Sequence, residues 1–110
     1  LQSQTHIRPN VYSYGIMMRI VLRFASSPKE QQRLLKHVFQ QCCDYGCVSE
    51  ENLHRFLQCV TDNNGVIERV FPKHVLVGKQ NSRKYKHGYH ICVDDLPTEW
   101  TTNVNKIGHS

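Results

Sequence analysis

The residues best equipped for chemistry are cysteines and histidines. Cys42, Cys43, Cys47 and Cys59 fall within one stretch that also holds His37 and His54, and His87, His90 and Cys92 form a second loose group. Zinc is the metal such a set would bind, through thiolate and imidazole. Zinc sites are built from paired elements of the C-x2-C or H-x3-H kind, and that spacing is missing. Cys42 also falls on the apolar stripe of a helix, with Cys43 beside it, which makes both small core residues. No metal site is expected. The chain carries no G-x-S-x-G, H-E-x-x-H or glycine-rich phosphate loop. Nothing in the spacing orients a Cys–His pair as nucleophile and base. The reading is therefore non-enzymatic: no catalytic residues, no cofactor and no small-molecule substrate.

Charge is the second source of function. The 110 residues carry a formal net charge of +5, which suits an acidic partner without choosing among nucleic acid, anionic membrane and acidic protein. The charge concentrates between positions 69 and 90, where Arg69, Lys73, Lys79, Arg83, Lys84 and Lys86 occur with no acidic residue, and Tyr85 and Tyr89 are interleaved. Lysine and arginine neutralise phosphates, and tyrosine stacks on bases. The candidate nucleic-acid-binding residues are thus Arg69, Lys73, Lys79, Arg83, Lys84, Tyr85 and Lys86. A solvated loop lying on a larger assembly would have the same composition.

The elements that must position these residues are helical. Positions 11–24 are apolar over most of the circumference, and a helix of that kind is buried on more than one side. Ser27 supplies a capping hydroxyl, Pro28 a first helical residue and Glu30 the third position. Leu35, Val38, Phe39 and Cys42 then repeat at i, i+3, i+4, i+7, and Gly46 stands where a left-handed C-terminal cap belongs. Ser49 caps the next helix, with Glu50 and Glu51 at the positive end of its dipole. Leu53, Phe56, Leu57 and Val60 repeat the same spacing, and the cluster at 62–65 stops it. Two amphipathic helices joined by so short a linker fold back as an αα-hairpin over 27–61, with Phe39 meeting Phe56. Beyond Gly65, 66–71 reads as a short helix ended by Pro72, 74–77 as a short apolar run, and the end as polar.

Residues 9–61 resemble a pentatricopeptide-type helical repeat. Pro9-Asn10-Val11-Tyr12-Ser13-Tyr14-Gly15 is similar to the Pro-Asp-Val-Val-Thr-Tyr-Asn string that opens such a motif, and the segment from Phe39 through Gly46 to Ser49 resembles its second-helix ending. The segment from Leu96-Pro97-Thr98-Glu99-Trp100 to Val104 resembles the C-terminal tail of pentatricopeptide-like proteins of diatoms and related algae. The first unit is several residues longer than the family period of about 34. The family's base-selecting position falls on Gly15, which has no side chain, and its partner position falls on Glu50. The one-base-per-repeat code is therefore not intact, and what the resemblance implies is architecture: stacked helical pairs at the end of a solenoid.

The fold expected is all-α: a helical-repeat fragment of about three helices, with a linker or partial preceding element over 1–10, a hairpin domain over 11–65 and a basic, largely irregular extension over 66–110. Five cysteines, an odd number clustered near one helix end, fit a reducing compartment rather than a secreted disulfide framework. No run approaches the ~20 apolar residues of a membrane span. The missing N-terminal methionine points to a processed protein or to one piece of a larger one. The resemblance implies a mitochondrion or chloroplast and RNA or a ribonucleoprotein as partner. The alternative is an accessory subunit among other protein subunits of a large assembly, with no RNA contact and with Met17, Met18, Ile20, Val21 and Leu22 of the first helix as interface.

Overall fold

The computed structural model describes residues 10–60, 65–79, 85 and 87–104. It is all-helical among these residues, with three long helices followed by shorter turns. Helix α1 spans Val11–Phe24, α2 Pro28–Asp44 and α3 Glu50–Cys59. Two short helices, α4 at Val66–Val70 and α5 at Lys73–Leu76, and two 3-10 turns, Val93–Asp95 and Thr98–Trp100, follow among the described residues.

The helix ends follow from side-chain caps. Asn10, Ser27 and Ser49 each accept a hydrogen bond from the backbone N–H three residues on, at 2.9, 3.1 and 3.1 Å, which satisfies donors that the first helical turn leaves free. Gly46 has φ +67° and ends α2 in a Schellman motif. The Cys47 N–H donates to the Cys42 carbonyl at 2.9 Å and the Gly46 N–H to the Cys43 carbonyl at 3.1 Å, the 6→1 and 5→2 pair of that motif.

Packing refines the expected hairpin. Helix α1 lies directly against both α2 and α3. Helices α2 and α3 meet through large side chains, with the Phe39 and Phe56 rings stacked at 4.1 Å and 7°. Phe71 leans on both rings at 5.7 and 6.2 Å, and Trp100 closes the group edge-on to Phe39 at 6.3 Å. Offset and edge-to-face aromatic contacts at these distances add to the burial of apolar area.

The segment from 66 onward is part of this core rather than an extension of it. Val66, Ile67, Val70, Phe71, Val75, Tyr85, Tyr89, Ile91 and Leu96 are buried in the same cluster as Leu35, Phe39 and Phe56. Backbone bonds tie its end to the α2–α3 loop: Val48 N–H donates to the Trp100 carbonyl at 2.9 Å, and Asn103 N–H to the Gly46 carbonyl at 2.8 Å. The physical reason is area. Two amphipathic helices and a third of mixed face leave one side of Phe39 and Phe56 bare, and a chain this small has to use its remaining apolar residues to cover it.

Candidate interaction surfaces

The basic segment is divided by the fold. Short helices α4 and α5 leave Arg69 and Lys73 exposed. Lys79 lies 3.1 Å from the Asp95 carboxylate, so its charge is matched within the chain. Tyr85 is a correction to the sequence reading. Its ring is 7% exposed, its hydroxyl lies 2.8 Å from His54 Nδ1, and the His87 ring stacks beside it at 5.5 Å. A ring held between two histidines has no face to offer a base. Arg83, Lys84 and Lys86 lie outside the described residues.

The histidines and tyrosines here are pins between the last segment and α3. His87 Nε2 lies 2.8 Å from the Leu57 carbonyl, and the Tyr89 N–H donates to His87 Nδ1 at 3.1 Å. A carbonyl only accepts, so Nε2 carries the proton in this arrangement. Tyr89 donates its hydroxyl to Glu68 at 3.0 Å. The signal in the sequence was the alternation of Tyr85, His87, Tyr89 and Ile91, an every-second-residue row that marks one buried side.

A different set of cations does converge. Lys29, Arg33 and Lys36 of α2 and Arg69 of α4 line one surface groove of about 260 Å³. Arg33 is paired with Glu30 one turn away. The sequence carried this grouping only in part, because Lys29, Arg33 and Lys36 share a helix face while Arg69 reaches it through the fold.

The cysteines are placed for packing. Cys42, Cys43 and Cys47 are buried. Burial pushes the Cys42 thiol up to about 12 and raises those of Cys43, Cys47 and Cys59. Among the described residues no three metal-binding side chains stand close enough to hold an ion. A cleft of about 430 Å³ is lined in part by Glu50, His54, Tyr85, His90 and Cys92, and it includes the His54–Tyr85 pair already described.

Helix α1 presents the remaining surface. Met18 is fully buried, and Met17, Val21 and Leu22 pack against the chain's own core. Of the first-helix residues expected as interface, Ile20 alone faces outward. The outward row is instead Tyr12, Ile16, Ile20 and Phe24, exposed by 65, 52, 51 and 73%. Arg19 and Arg23, both exposed, run beside it. Exposed apolar side chains gathered on one helix face are a mark of an interaction site, where singly scattered ones are ordinary.

Gly15 and Glu50 have separate fates. Glu50 is exposed at the start of α3. Gly15 faces Asn52, which is 2% exposed. Asn52 Nδ2 donates to the Val11 carbonyl at 2.9 Å and to the Cys47 carbonyl at 3.1 Å, tying α3 to α1 and to the α2–α3 loop. A Cβ at position 15 would stand 3.1 Å from Asn52 Oδ1. The missing side chain leaves room for the amide.

No helix among the described residues is long and apolar enough to cross a membrane. No protein-family model matches the chain, and comparisons with curated proteins and with solved structures give no match either.

Proposed function

We propose that this chain is a non-enzymatic helical-repeat end module of pentatricopeptide type that works by docking into a larger assembly. The observation that carries it is the Tyr12, Ile16, Ile20 and Phe24 row, exposed on one face of α1 while the opposite face packs against α2 and α3. A first helix placed against both of its successors and apolar on its outer side suits a stack whose next layer sits on that side. The resemblance adds an organellar setting, a mitochondrion or chloroplast, and a ribonucleoprotein as one form the assembly takes.

Sedimentation tests this. A tagged chain expressed in its own cells should run with a large particle, and the double change Ile16→Asp, Phe24→Asp should move it to the slow fractions. Both positions are exposed, so the variant keeps its helical circular dichroism. Co-sedimentation unchanged by the double substitution refutes docking through α1.

A second reading, RNA contact through the basic residues, is favoured by the groove of Lys29, Arg33, Lys36 and Arg69 and by exposed Lys73 nearby in sequence. It replaces Tyr85 and Lys79 of the original set, leaving phosphate contacts without stacking. Affinity for single-stranded RNA at low salt that falls steeply with added salt supports it. No affinity at low salt removes it.

A further inference from the structure

The outer face of α1 has a chemistry that narrows its partner. Tyr12, Ile16, Ile20 and Phe24 are spaced by four, which makes them a single i±4n ridge, and Gly15, Arg19 and Arg23 form the neighbouring ridge with the same spacing. Ridges of this kind seat in the grooves of another helix, with axes crossing at roughly −50° when both helices use them. The two guanidinium groups of Arg19 and Arg23 follow along one rim.

The charge on α1 itself is all positive, and at its Arg19 end Glu51 and Arg55 of α3 line the same small pocket and offset one another. Helix α1 contains Arg19 and Arg23 and no acidic residue. A second copy of α1 therefore brings no counter-charge. In an antiparallel two-fold pair all four guanidinium groups gather on one rim. In a parallel pair each arginine faces the flank of Ser13, Met17 and Val21, which is uncharged. Like charges brought together at an interface are strongly unfavourable, and complementary ones set the choice of partner.

We propose, resting on the docking function above, that the α1 face takes an amphipathic helix of another protein whose apolar i, i+4 row is flanked by a row of Glu or Asp. The apolar row fills the Tyr12–Phe24 ridge, and the acidic row lies along Arg19 and Arg23.

Synthetic helical peptides test the chemistry on the full 110-residue chain. One carries Leu at every fourth position with Glu beside each Leu. Its matched forms carry Lys or Gln in place of Glu. Fluorescence anisotropy should show saturable binding of the Glu peptide at least about tenfold tighter than the Lys peptide, a preference that shrinks as salt rises. R19E/R23E should erase or invert that preference, and I16D/F24D should abolish binding of all three peptides. The proposal is overturned if the Glu peptide has no advantage, or if the advantage survives R19E/R23E. It is also overturned if the chain alone forms dimers that I16D/F24D dissolves, or if oligouridine binding is lost in R19E/R23E, which would make RNA the occupant. Release of I16D/F24D from the native particle, combined with no peptide preference, removes the acidic helix and keeps docking. A particle untouched by I16D/F24D removes both.

Discussion

Replacing Gly15 by alanine separates two effects that oppose each other at one position. In the interior of a helix, alanine is favoured over glycine by about 1 kcal/mol. The new Cβ would stand 3.1 Å from Asn52 Oδ1, so Asn52 has to shift by a few tenths of an ångström. Asn52 is held by donated bonds of 2.9 and 3.1 Å to the Val11 and Cys47 carbonyls, each worth about 1 kcal/mol net. A shift weakens both, for a loss of about 1–2 kcal/mol that cancels or exceeds the helix gain. Gly15→Ala alone should therefore be neutral or destabilising by up to about 1 kcal/mol. Asn52→Ala alone should cost about 2–3 kcal/mol, for two bonds and a small void. With Asn52 gone the opposition vanishes, and Gly15→Ala in that background should stabilise by about 1 kcal/mol. The double-mutant cycle should then close with a coupling of about 1–2 kcal/mol. Urea melts followed by circular dichroism on the four proteins measure it. A coupling below about 0.5 kcal/mol would sink the explanation, because independent sites normally add to within that margin.

The other predictions probe the last segment and the buried polar groups. Gly46→Ala should cost at least about 2 kcal/mol, because its φ is +67° and its Cβ would meet Thr102 Oγ1 at 2.3 Å, adding a clash to the left-handed penalty of about 1–2 kcal/mol. Gly78→Ala, at φ +76° with nothing among the described residues within 4 Å, should show the conformational penalty alone, and equal costs at the two sites in denaturant melts would refute the contact with Thr102. Tyr14→Phe should raise stability by about 1 kcal/mol, since the Tyr14 hydroxyl is buried with no hydrogen-bond partner and burial pushes its pKa up to about 12; a destabilised variant refutes this. Asp95 accepts from the Cys92 N–H at 3.0 Å, and that bond, followed by the Lys79 ammonium, holds its carboxyl below the usual range. The folded value lies under the unfolded one of about 3.9, so the stabilisation is complete above about pH 4 and is lost as pH falls through the folded value. Asp95→Asn should therefore be less stable than the parent at neutral pH and converge with it in acid, and a gap unchanged across a pH series of melts refutes the linkage.

The second and third long helices were legible because each is announced by chemistry local to its ends. Ser27 with Pro28, and Ser49 with its two glutamates, mark starts that no tertiary contact needs to decide, and Gly46 marks a stop. The Phe39–Phe56 contact was legible because both residues sit at matching places on facing stripes. The basic segment misled because its charges were read without its partners. Lys79 finds Asp95 across 16 positions of chain, and Tyr85 finds His54 across 31; no local pattern announces pairings of that separation. The alternation of Tyr85, His87, Tyr89 and Ile91 did carry the burial, but in a stretch rich in lysine the period-two signal is easily taken for exposure. The outer face of α1 was half legible. Its excess of apolar residues led to the expectation of burial on more than one side, whereas Tyr12, Ile16, Ile20 and Phe24 are exposed. Which of them face outward depends on where α2 and α3 sit, and the sequence of α1 alone is apolar nearly all round.

The two sides of the molecule are unequal, and that inequality is what gives the fold a direction. Helix α2 is covered by α1 on one side, and by α4 and the Thr98–Trp100 turn elsewhere. Helix α3 is covered by α1 on one side and pinned by Tyr85 and His87 on another. The described residues of 66–104 thus cover α2 and α3 with aromatic rings and hydrogen-bonded histidines. Nothing within the described residues covers the outer ridge of α1 in the same way. Leaving four large side chains in water forfeits the burial free energy that each would gain against a partner, about 1.5–3 kcal/mol when complete. Polar substitution on the ridge should consequently leave the isolated chain as stable as before and weaken only its assembly. Substitution of Phe71 or Trp100 should do the reverse, lowering stability with the ridge still competent to bind. Measuring both properties on both sets of variants distinguishes a docking face from a core residue left exposed by chance. A ridge variant that unfolds the chain would place these side chains in the core after all.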